Sequence, residues 1–272
     1  MNNFSVITSV YKNDCPEFVR VSLDSITKEQ TVKPSEVVLV VDGPVPEALT
    51  NVVREYERDS MFHVIWLPEN KGLGNALRLG TEAAKHELVA RMDSDDIALP
   101  DRFEKQLAYM EAHPECDIVG GQMTEFIDSP ENIVGRREVP LANDEIYDYM
   151  KSRCALNHVT VMFRKDSVLK AGNYQDWFWN EDYYLWVRMM IAGCKFANLP
   201  DVLVNVRSGS DQYARRGGRK YYESEKGIQR LMLDNGFISR SRYFFNIFVR
   251  WCIQCAMPNW LRGFVFRTLF RK

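Results

Sequence analysis

Short apolar runs rich in β-branched residues alternate with longer amphipathic stretches through the first hundred positions. Phe4 to Val10, Val37 to Val41, His63 to Leu67 and Leu88 to Met92 read as strands, with the near-continuous hydrophobicity of strands covered on both faces. Between them, about Pro16 to Ile26, Glu47 to Ser60 and Leu73 to Lys85 have helical spacing and polar faces. The alternation predicts repeated βαβ units and an α/β fold with a doubly wound, mostly parallel sheet. Such sheets bind ligands beyond the carboxyl ends of their strands, so the residues that follow each run are the first place to look for chemistry. From Asp117 the pattern shifts to shorter strands (Asp117 to Gly120, Thr160 to Phe163, Leu203 to Val206) and helices near Asp144 to Lys151 and Tyr183 to Ile191. No repeat or Pro/Gly-rich linker divides the chain, which predicts one domain over residues 1–234, in halves 1–116 and 117–234, followed by a tail over 235–272.

In that tail Arg242, Asn246, Arg250 and Gln254 recur every fourth residue, a polar stripe along a helix that is otherwise apolar. Tyr243, Phe244, Phe245, Phe248 and Trp251 surround the stripe, and beyond Pro258 come Trp260, Phe264, Phe266 and Phe270. Two readings follow: an amphipathic anchor lying in a membrane interface, or a helix packed on the body.

Charge sharpens the contrast. The formal net charge is -2, yet residues 235–272 hold seven basic side chains and no acidic one, leaving 28 basic against 37 acidic in residues 1–234. An acidic body argues against nucleic acid as a partner, and a basic aromatic tail suits an anionic membrane surface. The six cysteines and the polar start Met-Asn-Asn-Phe predict a reducing compartment and no secretory signal. Cys252 and Cys255 form a single C-x-x-C within the helical pattern and read as packing. No run reaches the roughly 18 to 20 apolar residues of a membrane span.

The candidate chemistry lies where the strands end. After the fourth run comes Arg91-Met92-Asp93-Ser94-Asp95-Asp96, where three crowded carboxylates repel one another unless a cation sits among them. Oxygen ligands together with substrate phosphates suit Mg²⁺ or Mn²⁺, so Asp93 and Asp95 are candidate metal ligands; the alternative is a solvated turn that caps the next helix. Asp42, in Asp42-Gly43-Pro44 after the second run, is placed to accept from a uracil or ribose group, or simply to make a turn. Asn70 to Arg78 sets Gly72, Gly74 and Arg78 at a loop-to-helix junction where a nucleotide can approach the backbone. Downstream, Asp176-Trp177-Phe178-Trp179-Asn180-Glu181-Asp182 joins an acid pair to aromatic faces able to cover a sugar, with Trp177 and Trp179 as acceptor contacts and one carboxylate taking a hydroxyl proton. In the other reading of this stretch the acids cap a helix and the indoles are core.

Taken in order, Ser5 to Tyr11, Ser25-Ile26, Gln30-Thr31, Val38 to Gly43, Asn70 to Arg78, Met92 to Asp96 with Pro100, and Asn180 to Trp186 resemble the family 2 glycosyltransferases of GT-A fold that build bacterial O-antigen or capsule repeats. The resemblance spans about residues 4–215. It implies an inverting hexosyltransferase in which Tyr11 and Asp42 contact the nucleoside, Arg78 lies near the donor and Asp95, with Asp93, holds the metal. Asp182 would be the general base, with Glu181 its neighbour. It further implies a UDP-sugar donor, UDP-galactose or UDP-glucose favoured, and an undecaprenyl-diphosphate-linked sugar such as GlcNAc as acceptor, used peripherally at the cytoplasmic face of the inner membrane. Two departures stand out: Val41-Asp42-Gly43-Pro44 replaces the common Asp-Asp-Gly-Ser, and no histidine follows Arg207. Arg215, Arg216, Arg219 and Lys220 form a basic segment that either closes on phosphates or is simply solvated. The reading of a different class is a non-catalytic nucleotide or sugar-binding module on a degenerate scaffold.

Overall fold

In the computed structural model residues 3–209 and 218–257 are described. The β-branched runs form β1 (Phe4–Val10), β2 (Glu36–Val41), β3 (Phe62–Trp66) and β4 (Leu88–Arg91), and β2 is buried along its whole length. The returns are α1 (Pro16–Ser25), α2 (Glu47–Tyr56) and α3 (Leu73–Ala83). α2 stops short of Ser60 because its buried row Leu49, Val52, Val53, Tyr56 ends there. β1 pairs in parallel with β2 on one side and β4 on the other, and β3 adds outside β2. The winding direction therefore reverses between β1 and β4, and the crevice at their carboxyl ends is where an open α/β sheet takes its ligand.

The second half comprises β5 (Ile97–Ala98), α4 (Arg102–Ala112), β6 (Ile118–Phe126), β7 (Ile133–Arg137), α5 (Asn143–Met150), β8 (Met162–Arg164), α6 (Lys165–Lys170), α7 (Glu181–Ile191) and β9 (Phe196–Arg207). Strand order is β3-β2-β1-β4-β8-β6-β9-β5, with β7 paired to β6. β8 runs antiparallel to both β4 and β6, so beyond β4 the sheet is mixed. β6 and β9 extend well past the short runs expected for them. Their alternation is masked by buried polar residues that bond internally: Gln122 donates to the carbonyls of Val139 and Leu199, and Asn198 to those of Pro140 and Ala155. Thr160 belongs to a short 3-10 turn, which delays β8 to Met162.

Side chains from α1, α2 and α4 fill one face of the sheet around Val19, Leu23, Val53 and Phe103. The other face packs Leu77, Ile146, Trp186 and Met232. Met232 belongs to α8 (Arg219–Asp234), which the sequence pattern did not signal because only Tyr221, Ser224, Ile228, Gln229 and Met232 of its sixteen residues are buried. Arg219 and Lys220 open this helix, whereas Arg215 and Arg216 lie outside the described residues.

α9 (Arg240–Trp251) has the expected helix in an unexpected orientation. Its polar stripe faces inward. Asn246 donates to the Lys151 carbonyl and to Gln229, Arg250 donates to the Ser152 carbonyl and pairs with Glu225, and Gln254, just past the helix, also donates to Glu225. Tyr243 and Ile247 pack on the core beside them. Phe244, Phe245, Phe248 and Trp251 point out, with Phe245 66% exposed. Packing on the body and presenting an apolar face are thus properties of the same helix. The continuation from Pro258, including Trp260, Phe264, Phe266 and Phe270, lies outside the described residues. Among the described residues no helix is long and apolar enough to cross a membrane.

Candidate functional site

The crevice between β1 and β4 is bridged by carboxylates. Asp14, in the loop after β1, accepts from the Tyr11 N–H at 2.9 Å and from the Ser94 hydroxyl at 3.0 Å, while Ser22 donates to the Asp93 carbonyl at 2.7 Å. Burial, with Asp93 and Asp14 nearby, pushes the Asp95 carboxyl up to about 6. Burial also takes Asp14 to about 6, against the lowering effect of its two hydrogen bonds. Asp96 is raised further by burial and by both neighbours in its loop, and it accepts from the Arg207 N–H at 2.8 Å. Like charge is therefore concentrated here at a cost that a bound cation relieves.

Asp93 has a different setting from Asp95. Arg91, buried at the end of β4, grips it with both terminal nitrogens, one at 2.7 Å. Among the described residues no three acidic, His or Cys side chains come together as a closed metal cage. Two carboxylates completed by substrate phosphates are a normal arrangement for Mg²⁺ or Mn²⁺, and this oxygen-rich, charge-strained loop fits it. Where a histidine is missing, the Arg207 guanidinium lies 3.7 Å from the Phe18 ring centroid and donates to the Asp95 carbonyl at 3.2 Å.

Arg91 also acts through its charge on the second acid group. Glu181 opens α7 and is pushed up to about 7 by burial and by Asp182, with Arg91 opposing. Asp182 accepts from the Tyr183 N–H at 2.7 Å and lies 3.9 Å from the Cys154 sulfur, on the wall of a cavity of about 260 Å³. The Cys154 thiol is held up at about 12 by burial and by Asp182, so it stays protonated and donates. Behind these groups the Tyr174 hydroxyl meets His158 Nε2 at 3.0 Å, and burial keeps His158 neutral.

Several expected residues are placed differently. Asp42 is a loop organiser rather than an open nucleoside acceptor. It is buried, and its oxygens accept from the N–H groups of Lys71 (2.7 Å) and Gly72 (3.0 Å) and from Asn70 Nδ2 (2.9 Å). Gly43, at φ 87°, makes the tight passage possible, since a Cβ there would meet the Asn70 nitrogen at 2.5 Å. Gly72 (φ 83°) caps α3 with open space around it, so its backbone conformation and not crowding is what favours glycine there. Gly74 does not make room for a nucleotide: its missing side chain admits the Gln175 carbonyl, 2.6 Å from where a Cβ would stand. Arg78 pairs with Glu82 one turn along α3, and Tyr11 is exposed at the crevice mouth.

Trp177 needs the same correction. Its ring stacks on Tyr184 with centroids 3.9 Å apart, and its N–H donates to the Ser224 carbonyl, so it joins α7 to α8 instead of offering a free face to a sugar. Trp179 is the exposed indole, 51% accessible and on the cavity wall. Its φ of 57° is a left-handed conformation that a bulky residue rarely adopts. Strain of about 1–3 kcal/mol at such a position is found chiefly where function requires it. Asp14, Arg91, Arg137 and Arg153 were not among the expected site residues. Asp14 and Arg91 stand at the carboxyl ends of strands and the same positional rule reaches them, whereas Arg137 and Arg153 come to the cavity wall beside Asp182 only through the packing of distant segments.

Residues 5–173 match the family model described as glycosyl transferase family 2. The amylovoran biosynthesis glycosyltransferase AmsE of Erwinia amylovora is 43% identical over 89% of this chain and 91% of its own. An Escherichia coli UDP-Gal:alpha-D-GlcNAc-diphosphoundecaprenol beta-1,3-galactosyltransferase is 34% identical over 99% of this chain and 97% of its own. Among solved structures, residues 1–349 of S. aureus TarS in complex with UDP-GlcNAc superpose with a TM-score of 0.69 at 17% identity, covering 98% of this chain and 76% of that one, a likeness of fold.

Proposed function

Since the chain belongs to glycosyl transferase family 2 and has the GT-A fold, we propose that it transfers galactose or glucose from a UDP-sugar, with inversion, to a lipid-diphosphate-linked sugar such as GlcNAc-diphospho-undecaprenol. The observation that carries this reading is the set of acids that share the field of Arg91: Asp93, which it grips beside Asp95, and Glu181, next to Asp182, whose raised carboxyl it opposes. Residues 1–116 hold the donor, 117–234 the acceptor, and 235–272 the membrane. Tyr11, the Gly72 N-terminus of α3 and Arg78 line the approach of the UDP group, and Asp42 acts there by shaping the 70–72 loop.

Asp95 and Asp93 would hold Mg²⁺ or Mn²⁺, which when bound neutralises charge on the diphosphate leaving group. Asp182 takes the proton of the acceptor hydroxyl as its oxygen attacks the anomeric carbon in a single in-line displacement. Glu181 retains a proton up to about pH 7, which limits charge repulsion beside the base. Trp179 covers the apolar face of the acceptor sugar. Purified protein given a panel of UDP-sugars and a GlcNAc-diphospho-lipid is expected to form a disaccharide with UDP-galactose or UDP-glucose, read by mass and anomeric NMR. Tight UDP binding with neither transfer nor donor hydrolysis would instead identify a non-catalytic binding module.

The outward aromatics of α9 support a peripheral seat on the cytoplasmic face of the membrane. Full burial of each large side chain in the acyl boundary is worth roughly 1.5–3 kcal/mol, and each nearby basic residue about 1 kcal/mol at an anionic surface. Phe245→Glu with Phe248→Glu is therefore expected to reduce cosedimentation with anionic vesicles by at least about tenfold, while the thermal melt changes little because both rings are solvent-facing. Unaltered protein that fails to bind such vesicles at low salt would overturn this reading.

A further inference from the structure

The cavity beside Asp182 has walls of two characters. Arg137 at the end of β7, Arg153 in the turn after α5 and Arg250 on α9 bring three arginines to its wall from distant segments. Arg250 is ion-paired with Glu225. Arg137 donates through a terminal nitrogen to the Cys154 carbonyl at 2.9 Å and the Arg153 guanidinium carbon lies 5.4 Å from the Tyr149 ring centroid, contacts that fix where the two guanidinium groups stand. Val249 and Ile253 make the other wall. Phe245 and Val249 stand one turn apart on α9 and Ile253 follows in the π-helical turn Cys252–Ala256 that continues it, so the three lead from the exposed aromatic face to the cavity wall. An occupant suited to this space carries a hydroxyl at Asp182, negative charge toward Arg137 and Arg153, and an apolar chain along α9.

We propose that this cavity is the acceptor subsite and binds the diphosphate of a polyprenyl-diphosphate sugar, with Arg153 and Arg137 on the phosphate oxygens and the Phe245, Val249, Ile253 row directing the first isoprene units toward the bilayer. The inference rests on the lipid-linked-acceptor reading above and adds which residues take the diphosphate and the lipid. Planar guanidinium groups suit phosphate oxygens because they donate in pairs. This row gives the apolar chain a path that begins at the reacting end and finishes at a solvent-facing aromatic surface.

The test uses the whole protein with farnesyl diphosphate as probe, in saturating UDP and Mn²⁺ so that the donor crevice is filled, and reads binding by calorimetry. Saturable binding by the unaltered protein is expected, weakened tenfold or more by Arg153→Gln and less by Arg153→Lys and Arg137→Lys, which keep the charge but not the paired donors, with thermal melts confirming that each variant is folded. Farnesol, lacking phosphate, should not discriminate between Arg153→Gln and the unaltered protein. Absence of saturable binding, or equal binding by Arg153→Gln, overturns the proposal. Arg153-dependent binding without transfer to any lipid-linked sugar supports the subsite and removes the broader acceptor reading instead.

Discussion

Replacing Asp182 with asparagine is expected to lower turnover by about 10²- to 10⁴-fold, the contribution of a positioned general base. UDP affinity should stay within a few-fold, because Asp182 lines the acceptor cavity and the donor crevice lies at the ends of β1 and β4. The substitution preserves shape and keeps an oxygen able to accept from the Tyr183 N–H, so lost turnover would report lost basicity. Glu181, raised to about 7 by burial and by Asp182, ionises more readily once that neighbour is neutral, so the residual turnover of the variant measures how far Glu181 can substitute. Turnover close to that of the unaltered enzyme, measured by single-turnover transfer, would move the base elsewhere.

Asp95→Asn is expected to remove most activity, about 10²-fold or more, and to abolish the rise in melting temperature that Mn²⁺ with UDP gives the unaltered protein. Excess chelator should act on the unaltered enzyme as the substitution does. The pH dependence has a definite sign. With folded-state values raised to about 6, Asp95 and Asp14 bind protons more tightly folded than unfolded, so alone they cost stability above pH 6 and the cost is relieved as pH falls through 6. A divalent ion competes with those protons. Its stabilising effect should therefore be large at pH 7.5 and fade below pH 6. Full turnover in chelator, or a metal effect that persists at pH 5, would contradict the assignment.

How far the site could be read from the chain depended on whether a residue's role is local. The first four strands, and the place of the Asp93 to Asp96 loop at the carboxyl end of β4, were legible because buried parallel strands are apolar throughout and polar residues mark where they stop. The loop-organising bonds of Asp42 were not legible because the sequence shows a carboxylate after a strand but not the 70–72 loop that folds onto it. Trp177 and Trp179, two residues apart, looked equivalent; only the packing of α8 assigns one to Ser224 and the other to solvent. The periodicity of α9 was visible, yet its inward side was set by Lys151, Ser152, Glu225 and Gln229, polar partners nearly a hundred or some twenty residues away. A stripe of polar residues reads as a wet face until such partners are known.

The contact at Gly74 joins the first turn of α3 to the segment that carries the aromatic residues. No side chain stands between the two backbones, so there is no rotamer to absorb a displacement. Any side chain at residue 74 would therefore have to displace the backbone at residue 175, four positions before the strained Trp179, so the shape of the aromatic segment depends on a missing methyl group one helix away.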